Sequence, residues 1–146
     1  MSKHLHVVFK VAEAEYVIAA QDVLHMESYA GATKVPGTEE HVLGLIQTRQ
    51  RVVPVIDLRV CFGLPACAHT IDSRVLVIQR AERVIGLLVD SAREVIELTS
   101  EAFSAPPEVI SQRARGFVSA LAKLKERVVM LIDLGKIIGE EARSGR

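Results

Sequence analysis

Asp57, Asp90 and Asp133 each close an apolar run: Arg51 to Ile56, Arg83 to Val89 and Arg127 to Ile132. Paired carboxylates at strand ends can act as general acid and base, or hold a divalent cation. The plainer reading is that each caps or ends its strand, because Asp accepts hydrogen bonds from free backbone amides at such positions. His4 and His6 share a strand face with Lys10. Two imidazoles on a terminal strand are half a metal site, so both are expected to face solvent. His25, His41 and His69 have no ligand spacing. Cys61 could be a nucleophile, but only Arg59 stands near enough in sequence to lower a thiol pKa, and a small buried hydrophobe is the better reading. Arg49-Gln50-Arg51 is a compact basic loop that could hold a phosphate, although such runs are more often solvated. Walker, GxGxxG, GxSxG and HExxH patterns are all absent. No catalytic residue, metal ligand or cofactor is assigned, and a binding module is favoured over an enzyme.

Two of those aspartates sit in a repeated octet. Arg51 to Leu58 reads RVVPVIDL and Arg127 to Leu134 reads RVVMLIDL, alike at six of eight positions. Residues 4–11 alternate, with Leu5, Val7, Phe9 and Val11 on one face and His4, His6 and Lys10 on the other, which predicts a half-buried strand. Tyr16 to Ala20 completes a hairpin. Val23 to Tyr29 fits a short helix or a strand. Further strands are predicted over 42–48, 51–56, 74–79, 84–89, 95–98, 116–121 and 128–132. Pro54 donates no ladder hydrogen bond, so its strand is expected at an edge or with a bulge there. Asp57 should cap a helical turn over 58–62, and Asp133 a final helix over 134–142, ahead of a frayed tail at 143–146.

Many short strands and few helices point to small barrels or sandwiches. The expected fold is mainly β: two SH3-like five-stranded barrel lobes with short helical turns and a C-terminal helix. They intertwine as one domain over residues 1–146, and each octet is the closing strand of a lobe. The chain is 49% hydrophobic but only 4% aromatic, so its core must be aliphatic. Eighteen basic residues balance eighteen acidic ones, which argues against nucleic acid as a partner. Cys61 and Cys67 make no disulfide framework. Residues 1–10 lack the apolar run of a signal peptide, and no stretch is long enough to span a bilayer. A cytoplasmic protein without direct membrane insertion is expected.

Residues 36–59, PGTEEHVLGLIQTRQRVVPVIDLR, resemble the signature of the CheW family of chemotaxis coupling proteins, which reads approximately PGAPEYVLGVINLRGRVVPVIDLR. Arg74 to Ile78, Val84 to Asp90, Glu94 to Ile96, Arg115 to Phe117 and Arg127 to Ile138 continue the resemblance in order. It implies two SH3-like lobes around a shared apolar core, with a groove between them and no enzymatic activity. It also implies partners: the cytoplasmic tip of a chemoreceptor (a methyl-accepting chemotaxis protein) and the regulatory domain of a CheA-type histidine kinase, in arrays at the membrane. Carried onto this chain, the resemblance makes Arg49, Val23 and Val52 receptor-binding residues and Gly44 a kinase-contact residue. Against that stands a local role: a turn requirement for Gly44, and core filling for the valines.

The departures cluster at the same place. The family's Asn-Leu-Arg-Gly is Gln47-Thr48-Arg49-Gln50 here, so a turn needing positive φ would carry a cost of about 1 kcal/mol at Gln50. The acidic residue often found two positions after Val23, which can pair with the motif arginine, is His25. A protonated imidazole there would repel Arg49. The leading expectation is a divergent coupling adaptor. The alternatives are a partial coupler that binds only kinase or only receptor in a non-flagellar system, and, from another class, a small β-barrel nucleic-acid-binding protein.

Overall fold

The computed structural model describes residues 3–109 and 116–139. Strands β1 (Lys3–Val11), β2 (Ala14–Ala19), β3 (Val23–Ser28), β4 (Val42–Thr48) and β5 (Arg51–Asp57) lead into helix α1 (Leu58–Cys61). Then come β6 (Arg74–Arg80), β7 (Arg83–Val89), β8 (Ser91–Thr99), β9 (Phe103–Ser104), β10 (Val118–Lys123), β11 (Val128–Ile132) and helix α2 (Leu134–Ile138). They form two sheets, ordered β8-β1-β2-β11-β10-β9 and β3-β6-β7-β5-β4.

The two sheets share one wiring once the two-residue β9 is set aside. In each, an edge strand lies antiparallel to the first strand of a hairpin. The second strand of that hairpin runs parallel to the octet strand, and a second hairpin finishes the sheet. The repeat is therefore structural. The Asp57 amide donates to the His41 carbonyl at 2.8 Å, and the Asp133 amide to the Phe117 carbonyl at 2.7 Å. Each carboxylate then accepts an amide of the following helix, Arg59 N at 3.0 Å and Lys136 N at 3.2 Å. These are the caps the sequence predicted.

Neither sheet closes through a continuous ladder. The five-stranded one comes nearest: an isolated bridge between Thr33 and Leu45, with both hydrogen bonds at 2.8 Å, ties the exit of β3 to β4 across the open side. Each lobe encloses a small core, Val55, Val75 and Val77 in one and Val8, Val17, Leu98, Ala122 and Val129 in the other. The largest core lies between the lobes, where Phe9, Ile18, Leu58, Leu76, Ile78 and Leu87 are all buried. Adjacent residues of one strand thus face different cores. Such strands read as unbroken apolar runs, as in VLVI of β6.

Three expectations are corrected. His6 is buried, its ring centroid 5.4 Å from that of Phe103, while Leu5 is 52% exposed. β1 is an inner strand whose second face, the one bearing His6 and Val8, covers its own lobe's core. Period two gives which residues share a face, not which face is covered. Pro54 lies on an inner strand, and the β4 irregularity falls opposite Val55 and Ile56, not opposite Pro54. Alternation from the Thr48–Arg51 end turns the Pro54 nitrogen away from β4. On the other side the parallel ladder to β7 starts only at Val55, so no hydrogen bond is lost. The final helix ends at Ile138, where Gly139 takes a left-handed conformation with φ 77°. The predicted continuation to 142, the tail at 143–146 and Arg115 lie outside the described residues. The ambiguous 23–29 segment is strand β3. Among the described residues no helix is long and apolar enough to cross a membrane.

Candidate functional site

The β4–β5 hairpin turns through two residues, with Thr48 paired to Arg51 and both central residues at positive φ: Arg49 at 50° and Gln50 at 67°. This is the turn that matches strand twist, and it favours Asn-Gly because both positions are left-handed. Arg49 and Gln50 each carry a Cβ there, so the strain expected at Gln50 is real and Arg49 shares it.

The tip is held from the opposite edge of the sheet. Thr48 points inward and donates its hydroxyl to Glu27 Oε2 at 2.5 Å. Arg49 Nε stands 3.8 Å from the same oxygen, with 70% of its side chain exposed. His25 Nδ1 lies 2.8 Å from it as well, but off the line of a hydrogen bond, so this buried nitrogen has no hydrogen-bond partner among the described residues. The carboxylate serving Arg49 is therefore Glu27, one pleat beyond the position at which the sequence offered His25.

Register settles which side chains share the outer face of this sheet. Directly paired residues point the same way. Val23 is opposite Ile78 and Met26 opposite Leu76, and both partners belong to the interlobe core. Val52 and Pro54 share the face of Ile56, another interlobe residue, and their partners across the hairpin are Gln47 and Leu45. Val23 and Val52 thus lie on one face of one sheet. Val23 is half-buried against the interlobe core, whereas Val52 is 60% exposed and does not fill a core. Leu24, Met26 and Leu45 are exposed at the rim. The other lobe covers the middle of this face and leaves its flank bare.

Gly44 is elsewhere. It is buried on β4, at the irregularity between Val42 and Gly44, with φ 141°. A Cβ there would stand 2.1 Å from the Thr33 carbonyl oxygen. The turn requirement entertained from sequence is replaced by a close approach of backbone from the segment that closes the lobe.

The remaining candidates are structural. Asp90 binds Arg59 through two hydrogen bonds, 3.0 Å from Nε and 2.7 Å from Nη2, and also accepts the Ala12 amide at 2.8 Å. That pairing holds the Arg59 guanidinium above its usual pKa. Burial pushes the Asp57 carboxyl up, against the backbone hydrogen bonds from Arg59 and Val60. Cys61 is buried and Cys67 exposed. No cluster of three His, Cys, Asp or Glu side chains suited to a metal occurs among the described residues. Sequence reasoning missed Glu27. The alternating burial of Val23–Ser28 puts Glu27 on the face of His25, but nothing local reveals that β3 approaches the tip of β4.

A CheW-like domain model matches residues 5–142. The chemotaxis protein CheW of Klebsiella aerogenes is 30% identical over 134 residues, covering 92% of this chain and 81% of that protein. The Bacillus subtilis protein of the same name is 30% identical over 136 residues, 93% and 87% of the two chains. The crystal structure of the scaffolding protein TtCheW from Thermoanaerobacter tengcongensis superposes with a TM-score of 0.84 at 31% identity, covering 94% of this chain and 88% of that one. With its fold, its paired lobes and nearly its whole length in agreement, this chain belongs to the CheW family of non-enzymatic scaffold proteins.

Proposed function

We propose that the protein couples a chemoreceptor to a CheA-type histidine kinase in a cytoplasmic array at the membrane. The reading rests on one observation above all: Val23 and Val52 share an incompletely covered apolar face, and Arg49 stands at the adjoining hairpin tip. An exposed guanidinium beside an apolar strip suits a receptor helix, since it offers a planar fork to carboxylates or carbonyls while the valines bury apolar side chains. In this reading Val23, Val52 and Arg49 contact the receptor. Gly44 serves the kinase side indirectly, by letting the 29–34 segment lie against β4 and shape that surface. Glu27 supplies the carboxylate that His25 does not, 3.8 Å from Arg49 Nε, and orients the hairpin tip through its hydrogen bond from Thr48.

The test is a pull-down from native lysate with wild type and Arg49→Ala side by side. Wild type is expected to recover a histidine kinase and a chemoreceptor, and the variant to lose the receptor alone. Recovery of one partner by wild type would identify a partial coupler. Recovery of neither would end the adaptor reading.

A further inference from the structure

The six-stranded lobe has an open mouth at the start of β1. Register sets the inner-face positions there: His6 is opposite Ala19 on β2, and His4, one pleat earlier, is opposite Leu98 on β8. His6 and Leu98 are buried, Ala19 and Ala20 are half-buried, and the Phe103 ring stands against His6. The two alanines leave space unfilled. The result is a mainly apolar cavity of about 470 Å³, with Leu5 52% exposed at its rim. Cavities of this size hold small ligands. One polar atom in it is unfinished. His6 Nδ1 lies 3.1 Å from the His4 carbonyl oxygen. A carbonyl only accepts, so Nδ1 carries the proton, and in the neutral ring Nε2 is an acceptor. Nε2 has no hydrogen-bond partner among the described residues, and it is not among the atoms sealed from solvent. With only 6% of the residue exposed, the surface Nε2 keeps belongs to the cavity wall. A largely buried acceptor without a donor costs free energy that a ligand donor would recover. Every other polar side chain of the lining is exposed at the rim.

We propose that this mouth binds a small aromatic molecule bearing one O–H or N–H donor, of the size of phenol or indole. The donor meets His6 Nε2, and the ring packs among Leu98, the two alanines and Phe103, under Leu5. An aromatic body suits the site because the His6 and Phe103 rings, tilted 53° to each other, offer it edge and face contacts. An anionic head would find no buried cation, and a metal ion would find a single buried ligand. The site lies in the lobe that carries neither Arg49 nor Gly44, so it stands apart from the coupling reading.

Phenol and toluene, matched in heavy atoms and differing in the donor, test it. Each is titrated into the full chain and followed by NMR at the Leu98 methyls and the His6 ring nitrogens. Phenol is expected to saturate at about millimolar concentration, as suits so few atoms. It should bind about fivefold tighter than toluene and move the His6 Nε2 resonance, which toluene leaves in place. His6→Phe keeps a ring without the acceptor and should bind both probes alike. His6→Gln restores an acceptor and should recover part of the preference, with thermal unfolding showing that each variant is folded. Ala19→Leu fills the cavity and should block both probes. Unmoved Leu98 methyls up to the solubility of phenol, equal affinities in wild type, or a gap that survives in His6→Phe would overturn the proposal. So would an unmoved Nε2 resonance, since water would then already hold that acceptor. Dissociation of a dimer by phenol, seen in analytical ultracentrifugation, would assign the mouth to a second copy of the chain and overturn it equally.

Discussion

Gly44→Ala should be among the most damaging single-methyl changes available to this protein. The added Cβ would stand 2.1 Å from the Thr33 oxygen, 2.6 Å from the Thr33 carbonyl carbon and 3.1 Å from the Lys34 Cα. All three are backbone atoms, so no side chain can swing away. A φ of 141° lies in glycine territory and costs an alanine about 1–3 kcal/mol by itself. Relief of the clash requires Thr33 to retreat, which breaks two hydrogen bonds to Leu45 worth about 1 kcal/mol each. The sum is about 3–5 kcal/mol, a large share of the roughly 5–15 kcal/mol that holds a domain folded. For a chain of this size it lowers Tm by about 10–15 °C. Urea and thermal unfolding measure it directly. At a temperature where the variant is still folded, kinase recovery should fall while receptor recovery persists, because only the 29–34 segment has moved. A Tm within about 3 °C of wild type would refute the close-approach argument. A full loss of Tm with kinase binding intact would remove Gly44 from the kinase side.

The other perturbations follow from single contacts. Gln50→Gly relieves a left-handed side chain at φ 67° and should stabilise by about 1 kcal/mol, seen as a Tm rise of about 2–4 °C; no rise would mean the turn accommodates Gln50 freely. Asp90→Ala removes the Arg59 fork and the acceptor for Ala12 N, both partly exposed, and should cost about 2–3 kcal/mol in urea unfolding; a loss below about 0.5 kcal/mol would contradict the pairing. Asp57→Asn keeps the cap but removes a carboxylate that burial disfavours. A raised carboxyl pKa means the folded state holds the proton more tightly than the unfolded chain. The ionised group therefore costs stability above its folded pKa, and that cost fades as pH falls through it. Asp57→Asn should be more stable than wild type at pH 7 and lose the advantage as pH falls toward about 4. A variant less stable than wild type throughout that range would show that charge, not acceptance, makes the cap.

What could be read early was local. Both octets declared a strand followed by a capping aspartate, and both do that job, because strand, cap and short helix are specified within eight neighbouring residues. Their leading arginines had no such local rule and diverge: Arg127 pairs with Glu94 at 2.8 Å and Glu15 at 3.5 Å, while Arg51 is exposed. Pro54 was misjudged because a missing donor restricts pairing only where a ladder needs it, and the ladder on that side begins one residue later. His6 was misjudged because Phe103, which covers it, arrives from a strand far along the chain. The 23–29 segment was ambiguous because so short a run lets period alone fit either a strand or a helical turn, although β3 does alternate in burial. Gly44 stood out as special, but the atom that makes it so belongs to Thr33, and no local pattern reports a backbone passing overhead.

The same limit explains the acid beside Arg49, and it yields the last test. Counting from Val23 led to His25, and His25 opposes Val77 inside the lobe. Glu27 opposes Val75, one pleat on, and reaches the hairpin tip only because the sheet curls until its first and last strands meet. Its value lies less in the exposed ion pair at 3.8 Å, which is worth at most about 1 kcal/mol, than in the Thr48 hydroxyl bond that fixes where the strained turn points. Glu27→Gln keeps an acceptor for Thr48 and should change stability by less than about 1 kcal/mol. Glu27→Ala removes both contacts and lets the tip move. If orientation is what matters, Glu27→Gln should retain most receptor recovery, and Glu27→Ala should lose it while still binding kinase. If charge is what matters, the two variants should fail alike. If both bind receptor as wild type does, Arg49 does not depend on Glu27, and the compensation for His25 is no compensation at all.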